Sequence, residues 1–147
     1  MKKILIGIDF SDADGTLLEA ITPLAQQLKA SVTLFHSEPP MSQWVGCYMV
    51  FVSEDIAERK KVASELKAKL QTIADGLTAQ GIQTDVDLIE SHAGPGIVKY
   101  AEENDFDLIV IGTHSKNLLE RALLGSTADH VVRKSSLPIL VVPTMSE

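Results

Sequence analysis

The chain has 147 residues, 45% of them hydrophobic and 22% charged, with a formal net charge of −7. That is the size and composition of one globular domain with a single core, spanning residues 1–147, and not of a disordered chain. The acidic balance argues against nucleic acid or an anionic membrane surface as a partner, and no apolar run reaches the roughly 20 residues of a membrane span.

The lone Cys47 leaves no internal disulfide and no zinc spacing, so a cytoplasmic location is expected. An anionic ligand must be held by local donors, because the global field repels it. The opening run MKKILIGIDF has the lysines of a secretory leader. It also has Asp9 and no cleavage-like site, and it reads as a buried strand over residues 2–9.

Short β-rich apolar runs then alternate with segments of helical period, the pattern of a parallel sheet with helical crossovers. Residues 14–29 predict a helix with Leu17, Leu18, Ile21, Leu24, Ala25 and Leu28 on one face, and Pro23 predicts a kink or boundary inside it. A second strand covers 31–37. Residues 53–80 form the longest helix candidate, with a stripe of Leu66, Leu70, Ile73 and Leu77 and a stop at Gly81. At roughly 42 Å it is expected to project, bend or begin later. A third strand follows at 82–90, a shorter helix at 94–104 opened by Gly94-Pro95, and a fourth strand at 106–112. The last helix is expected at 127–135 and the last strand at 137–143. Five such strands imply an open, doubly wound α/β sheet, Rossmann-like, whose ligand sits beyond the strand ends where the strand order reverses.

The residues after the fourth strand are the first site candidates. Gly112 ends that strand, and Gly125, Ser126 and Thr127 precede the last helix. A helix N-terminus offers unpaired N–H groups and a positive dipole end, glycine permits close backbone approach, and the two hydroxyls add donors. The same residues also fit a connector in which Ser126 and Asp129 form a capping box. Asp9 reads equally as a ligand contact or as the cap of the turn DFSDAD. His36, His92 and His114 fall at or just after strand ends and are expected as solvated loop residues, His114 being kept as a ligand neighbour. Lys116, Arg121, Arg133 and Lys134 outnumber Glu120 and Asp129, a local basic balance suited to polyphosphate.

The segment DLIVIGTHSKNLLERALLGSTADHVVRKSSLPILVVP resembles the C-terminal signature of the universal stress protein family. Members that bind ATP carry a Gly, two residues, a Gly, nine residues, then Gly and Ser or Thr. Here Gly112, Ser115, Gly125 and Ser126 occupy those positions. ILIGIDFSDAD and GPGI extend the resemblance over essentially the whole chain.

The resemblance implies strand order 3-2-1-4-5 and a nucleotide across the crevice between strands one and four: ATP, with or without Mg²⁺ or Mn²⁺. Asp9 would meet the ribose or base region, Gly112, Gly125 and Ser126 the phosphates, and His36-Ser37 the adenine. Two positions depart from the pattern. Ser115 stands for the middle glycine; a positive φ there would strain it by about 1 kcal/mol or more, whereas a negative φ would make it a donor. Ser37 is polar where the family is often apolar.

The family's usual dimer pairs the last strand across a two-fold axis, so a homodimer through Pro138 to Val142 is expected, apolar edge strands being prone to pairing. The stretch 39–52, with three of the chain's seven aromatics, is a candidate surface for an unidentified protein partner. No Gly-Lys-Ser/Thr phosphate loop and no Ser/His/Asp or paired-carboxylate constellation is identifiable by spacing. The expectation is a dimeric ATP-binding regulator or adaptor in the stress response, not an enzyme. A nucleotide-independent dimeric interaction protein is the alternative, and a slow ATPase has the least support.

Overall fold

The structure is a computed structural model that describes residues 2–39, 52–113 and 125–144, with side chains of the long helix described from Ala57 onward. The elements run β1 (Lys3–Gly7), α1 (Ala13–Leu28), β2 (Ser31–Glu38), α2 (Val52–Ala79), β3 (Thr84–Glu90), α3 (Ala93–Glu103), β4 (Leu108–Thr113), α4 (Ser126–Lys134) and β5 (Ile139–Pro143). The five strands form one parallel sheet in the order β3-β2-β1-β4-β5, as expected. β1 lies at the centre, pairing Ile4 with both Val32 and Leu108.

Alternation along the strands divides the core into two layers. Ile4, Ile6, Val32, Leu34 and Val110 face α1 and α2, meeting Leu17, Ile21, Leu70, Ala74 and Leu77. Leu5, Phe35, Ile109 and Ile111 face α3 and α4, meeting Ile97, Ala101, Ala128 and Val131. Covered on both faces, the central strands are nearly continuously apolar for the reason parallel sheets generally are.

Three helix expectations change. α1 continues through Pro23 with no boundary; Pro23 and Glu19 are exposed, so the carbonyl that loses its proline partner meets solvent. Leu28, placed on the apolar face by periodicity, is 37% exposed at the helix end. α2 runs over 28 residues from Val52 and so does not begin later, and among its described side chains full burial starts at Leu70.

No helix among the described residues is long and apolar enough to cross a membrane. The aromatic stretch expected as a partner surface falls, from residue 40 to 51, outside the described residues.

Candidate functional site

β1 and β4 are neighbours, α1 and α4 pack on opposite faces of the sheet, and a crevice opens beyond the strands' carboxyl ends. There the structure has a cleft of about 300 Å³, at the low end of the range for small-molecule sites. Asp9, Ser37, Gly112, Gly125, Ser126 and Thr127, six of the residues singled out from the sequence, all line it. His114 and Ser115 lie outside the described residues, as do Lys116, Glu120 and Arg121.

The N-terminus of α4 forms one wall. Gly125 is its N-cap, with φ +87° and ψ 159°, a conformation open essentially to glycine alone. The alternative of a capping box by Ser126 and Asp129 is not formed: Ser126 is already the first helical residue, and among the described residues no side chain caps the helix. Asp129 turns instead to Arg133, whose Nε donates to it at 3.0 Å. The first turn therefore brings backbone N–H groups and the hydroxyls of Ser126 and Thr127 to the cleft with no side-chain acceptor on them among the described residues.

Gly112 has a steric reason in the fold as well. A Cβ there would stand 2.8 Å from Cγ2 of Thr144, which packs on the end of β4 and donates its hydroxyl to the carbonyl of Thr113. Thr144 itself lines the cleft, and no motif announced it.

The β1–α1 turn forms the facing wall. Asp9 caps it, its carboxylate accepting from the Ser11 N–H at 3.0 Å, and it also lines the cleft. Phe10 holds the turn with φ +62°, an uncommon conformation for an aromatic residue. Asp14, in the first turn of α1, is 9% exposed and lines the cleft beside Asp9. Its Oδ1 accepts a long hydrogen bond, 3.4 Å, from the Asp9 N–H. Burial first, and then the neighbouring Asp9 carboxylate, push the Asp14 carboxyl up to about 6. Sequence reasoning missed this residue because the run DFSDAD reads as turn formers. Only the orientation of the first helical turn shows which of its acids is enclosed.

The pair His36-Ser37 separates across the sheet. Ser37 points into the cleft with Phe35, and its Oγ is buried with no hydrogen-bond partner among the described residues. His36 points to the opposite face, 9% exposed, with Nδ1 2.7 Å from the Ile8 carbonyl and Nε2 2.5 Å from Glu38 Oε1. It is a buried strand residue and not a solvated loop histidine, because β2 runs on to Glu38. His92, before α3, is exposed as expected.

Of the basic residues in the expected balance, Arg133 and Lys134 are the ones within the described residues. Arg133 and Lys134 occupy the last turn of α4, away from the cleft lining. Among the described residues the lining carries two carboxyl groups and no cation. No cluster of three or more His, Cys, Asp or Glu suited to a metal ion occurs among the described residues.

Comparison with known proteins gives a consistent picture. The chain is 32% identical over 142 residues to the universal stress protein MJ0531 of Methanocaldococcus jannaschii, covering 96% of this chain and 81% of that one. The solved structure of MJ0577, from the same archaeon, superposes with a TM-score of 0.81 at 29% identity, covering 99% and 98% of the two chains. A universal stress protein from Archaeoglobus fulgidus, solved in complex with dAMP, shares the fold at a TM-score of 0.60 and 24% identity, over 97% and 98%. The model of the Universal stress protein family matches residues 1–143, and this chain belongs to that family.

Proposed function

We propose that this chain binds ATP, with or without Mg²⁺ or Mn²⁺, in the β1/β4 cleft, and that the bound nucleotide sets its behaviour as a dimeric cytoplasmic stress regulator or adaptor. The observation that carries the reading is the uncapped N-terminus of α4, presented to the cleft behind a glycine at φ +87°. Backbone N–H groups and a helix dipole bind phosphate without needing a cation beside them.

In this reading Gly112, Gly125, Ser126 and Thr127 take the phosphates, with His114 and Ser115 completing the loop. Asp9 meets the ribose, and Ser37, beside Phe35 and Ile97, meets the adenine. The dAMP complex of the Archaeoglobus fulgidus protein supports an adenine nucleotide as the ligand class.

The dimer uses β5. Of the two sheet edges, β3 carries Asp85 and Asp87, whereas Ile139–Val142 of β5 are uncharged, with Leu140 36% exposed. Charge on an edge strand discourages pairing, and an apolar edge invites it.

A second reading, a nucleotide-independent dimeric interaction protein, is favoured by the two carboxyl groups in a cleft lining with no described cation. Calorimetry on protein stripped of nucleotide separates the two. ATP binding in the micromolar range, much weaker for AMP and lost in Gly125→Asp with folding intact, is the expected result. A folded dimer that binds neither nucleotide would overturn the ATP reading in favour of the second.

A further inference from the structure

Among the described residues, Ser37 alone has a buried side-chain polar atom with no hydrogen-bond partner. It stands near the carboxyl end of β2, on the face that carries Phe35 into the cleft. Its strand neighbour His36, on the other face, has a partner for each ring nitrogen, Ile8 and Glu38. A second hydroxyl close by does not relieve Ser37. A Cβ on Gly96 would lie 3.0 Å from Ser37 Oγ and 2.7 Å from Ser91 Oγ, so both oxygens border the space that Gly96 leaves open. Ser91 donates instead to the His92 carbonyl, at 3.1 Å. The other lining residues of β2 and α3, which are Phe35, Ala93 and Ile97, bring only apolar side chains.

A buried hydroxyl without a partner costs the fold about as much as a lost hydrogen bond, and a ligand that supplies the partner recovers that cost. No bond fixes the present rotamer, so turning Oγ about χ1 toward a ligand breaks none. Alanine would fill the position without the cost. The hydroxyl is therefore a liability to the empty protein and an asset to a liganded one.

We propose that Ser37 holds the nucleobase through its hydroxyl, which donates to a ring nitrogen or accepts from an exocyclic amino group. The inference rests on the nucleotide reading above and deepens it. The base is held by a side-chain hydrogen bond as well as by apolar contact with Phe35 and Ile97.

The test is calorimetry on the stripped full chain and on Ser37→Ala and Ser37→Cys, with ATP, ADP and 2′,3′-dideoxy-ATP as probes. Each ligand-free protein is also melted. Both variants should bind ATP about fivefold more weakly than wild type, the usual net worth of one hydrogen bond. The same factor is expected with ADP and with dideoxy-ATP, because the contact is to neither the terminal phosphate nor a ribose hydroxyl. Both ligand-free variants should melt no lower than wild type, a sign that a merely structural hydroxyl would reverse. Should one variant misfold, the other carries the comparison. Unchanged ATP affinity, a loss that disappears with ADP or dideoxy-ATP, or a lower melting temperature in both variants overturns the role of Ser37 and leaves nucleotide binding standing. A wild-type chain that binds none of the three probes overturns the nucleotide reading, and this inference with it.

Discussion

His130 of α4 occupies the space that a side chain on Gly94 of α3 would fill: a Cβ at residue 94 would come within 2.8 Å of the imidazole Cγ and 2.9 Å of Cβ. Those atoms lie at the base of the histidine side chain, so a rotamer change cannot clear them; α4 itself must move. Gly94→Ala is therefore expected to lower stability by about 1–3 kcal/mol, the usual cost of overpacking. Denaturant melts measure that cost. The truncation His130→Ala in the same chain should recover part of the loss, a coupling that a double-mutant cycle reads directly.

Gly125 is constrained by its backbone instead. At φ +87° and ψ 159° any L side chain is strained, so Gly125→Ala should cost about 1–3 kcal/mol even where space is available. ATP affinity should fall with it if the α4 amides hold phosphate. Unchanged affinity in a folded Gly125→Ala protein would move the phosphates off this wall.

Phe10 makes the opposite trade. Its φ of +62° is costly, but its ring packs edge-on against buried His36 with centroids 4.7 Å apart. Phe10→Ala loses the ring contact and keeps the strain; Phe10→Gly loses the ring and sheds the strain. The glycine variant is expected to be the more stable of the two by about 1 kcal/mol, reversing the usual order in which alanine is favoured. Thermal or urea melts of the pair decide it.

Asp14 makes stability depend on pH, with a definite sign. Its folded pKa, about 6, lies above the ordinary carboxylate value, so the folded state holds the proton more tightly than the unfolded chain. Its contribution is most favourable below about pH 4 and is lost as pH rises to about 6, beyond which the cost is constant. Asp14→Asn should match wild type near pH 4 and exceed it by about 2–3 kcal/mol at pH 8. Urea denaturation at the two pH values checks this without any ligand.

The β5 edge is tested by Leu140→Lys, which puts a charge on a side chain 36% exposed in the single chain. A shift from dimer to monomer by light scattering, with an unchanged melting profile at high dilution, is expected. A dimer that survives the substitution would place the interface elsewhere.

Much of this molecule was determined by its sequence alone. The three central strands were legible because parallel strands buried on both faces must be nearly continuously apolar, and Ile4–Ile6, Val32–Phe35 and Leu108–Ile111 are. The spacing from Gly112 to Gly125-Ser126 likewise survives as a local pattern, because a strand end and a helix start need glycine and small residues at particular positions. What only the tertiary structure decided are directions. It turned Ser37 into the cleft and His36 onto the far face, since neighbouring residues of a strand point oppositely. It enclosed Asp14 and exposed Asp12, its neighbour in the same acidic run, since a helical residue is buried according to its angle about the helix axis. It made Gly125, not Ser126, the helix cap and brought Thr144 to the site from beyond β5. Composition and spacing record which residues are near in the chain; burial and charge depend on which side chains converge, and that is set when the two layers pack on the sheet.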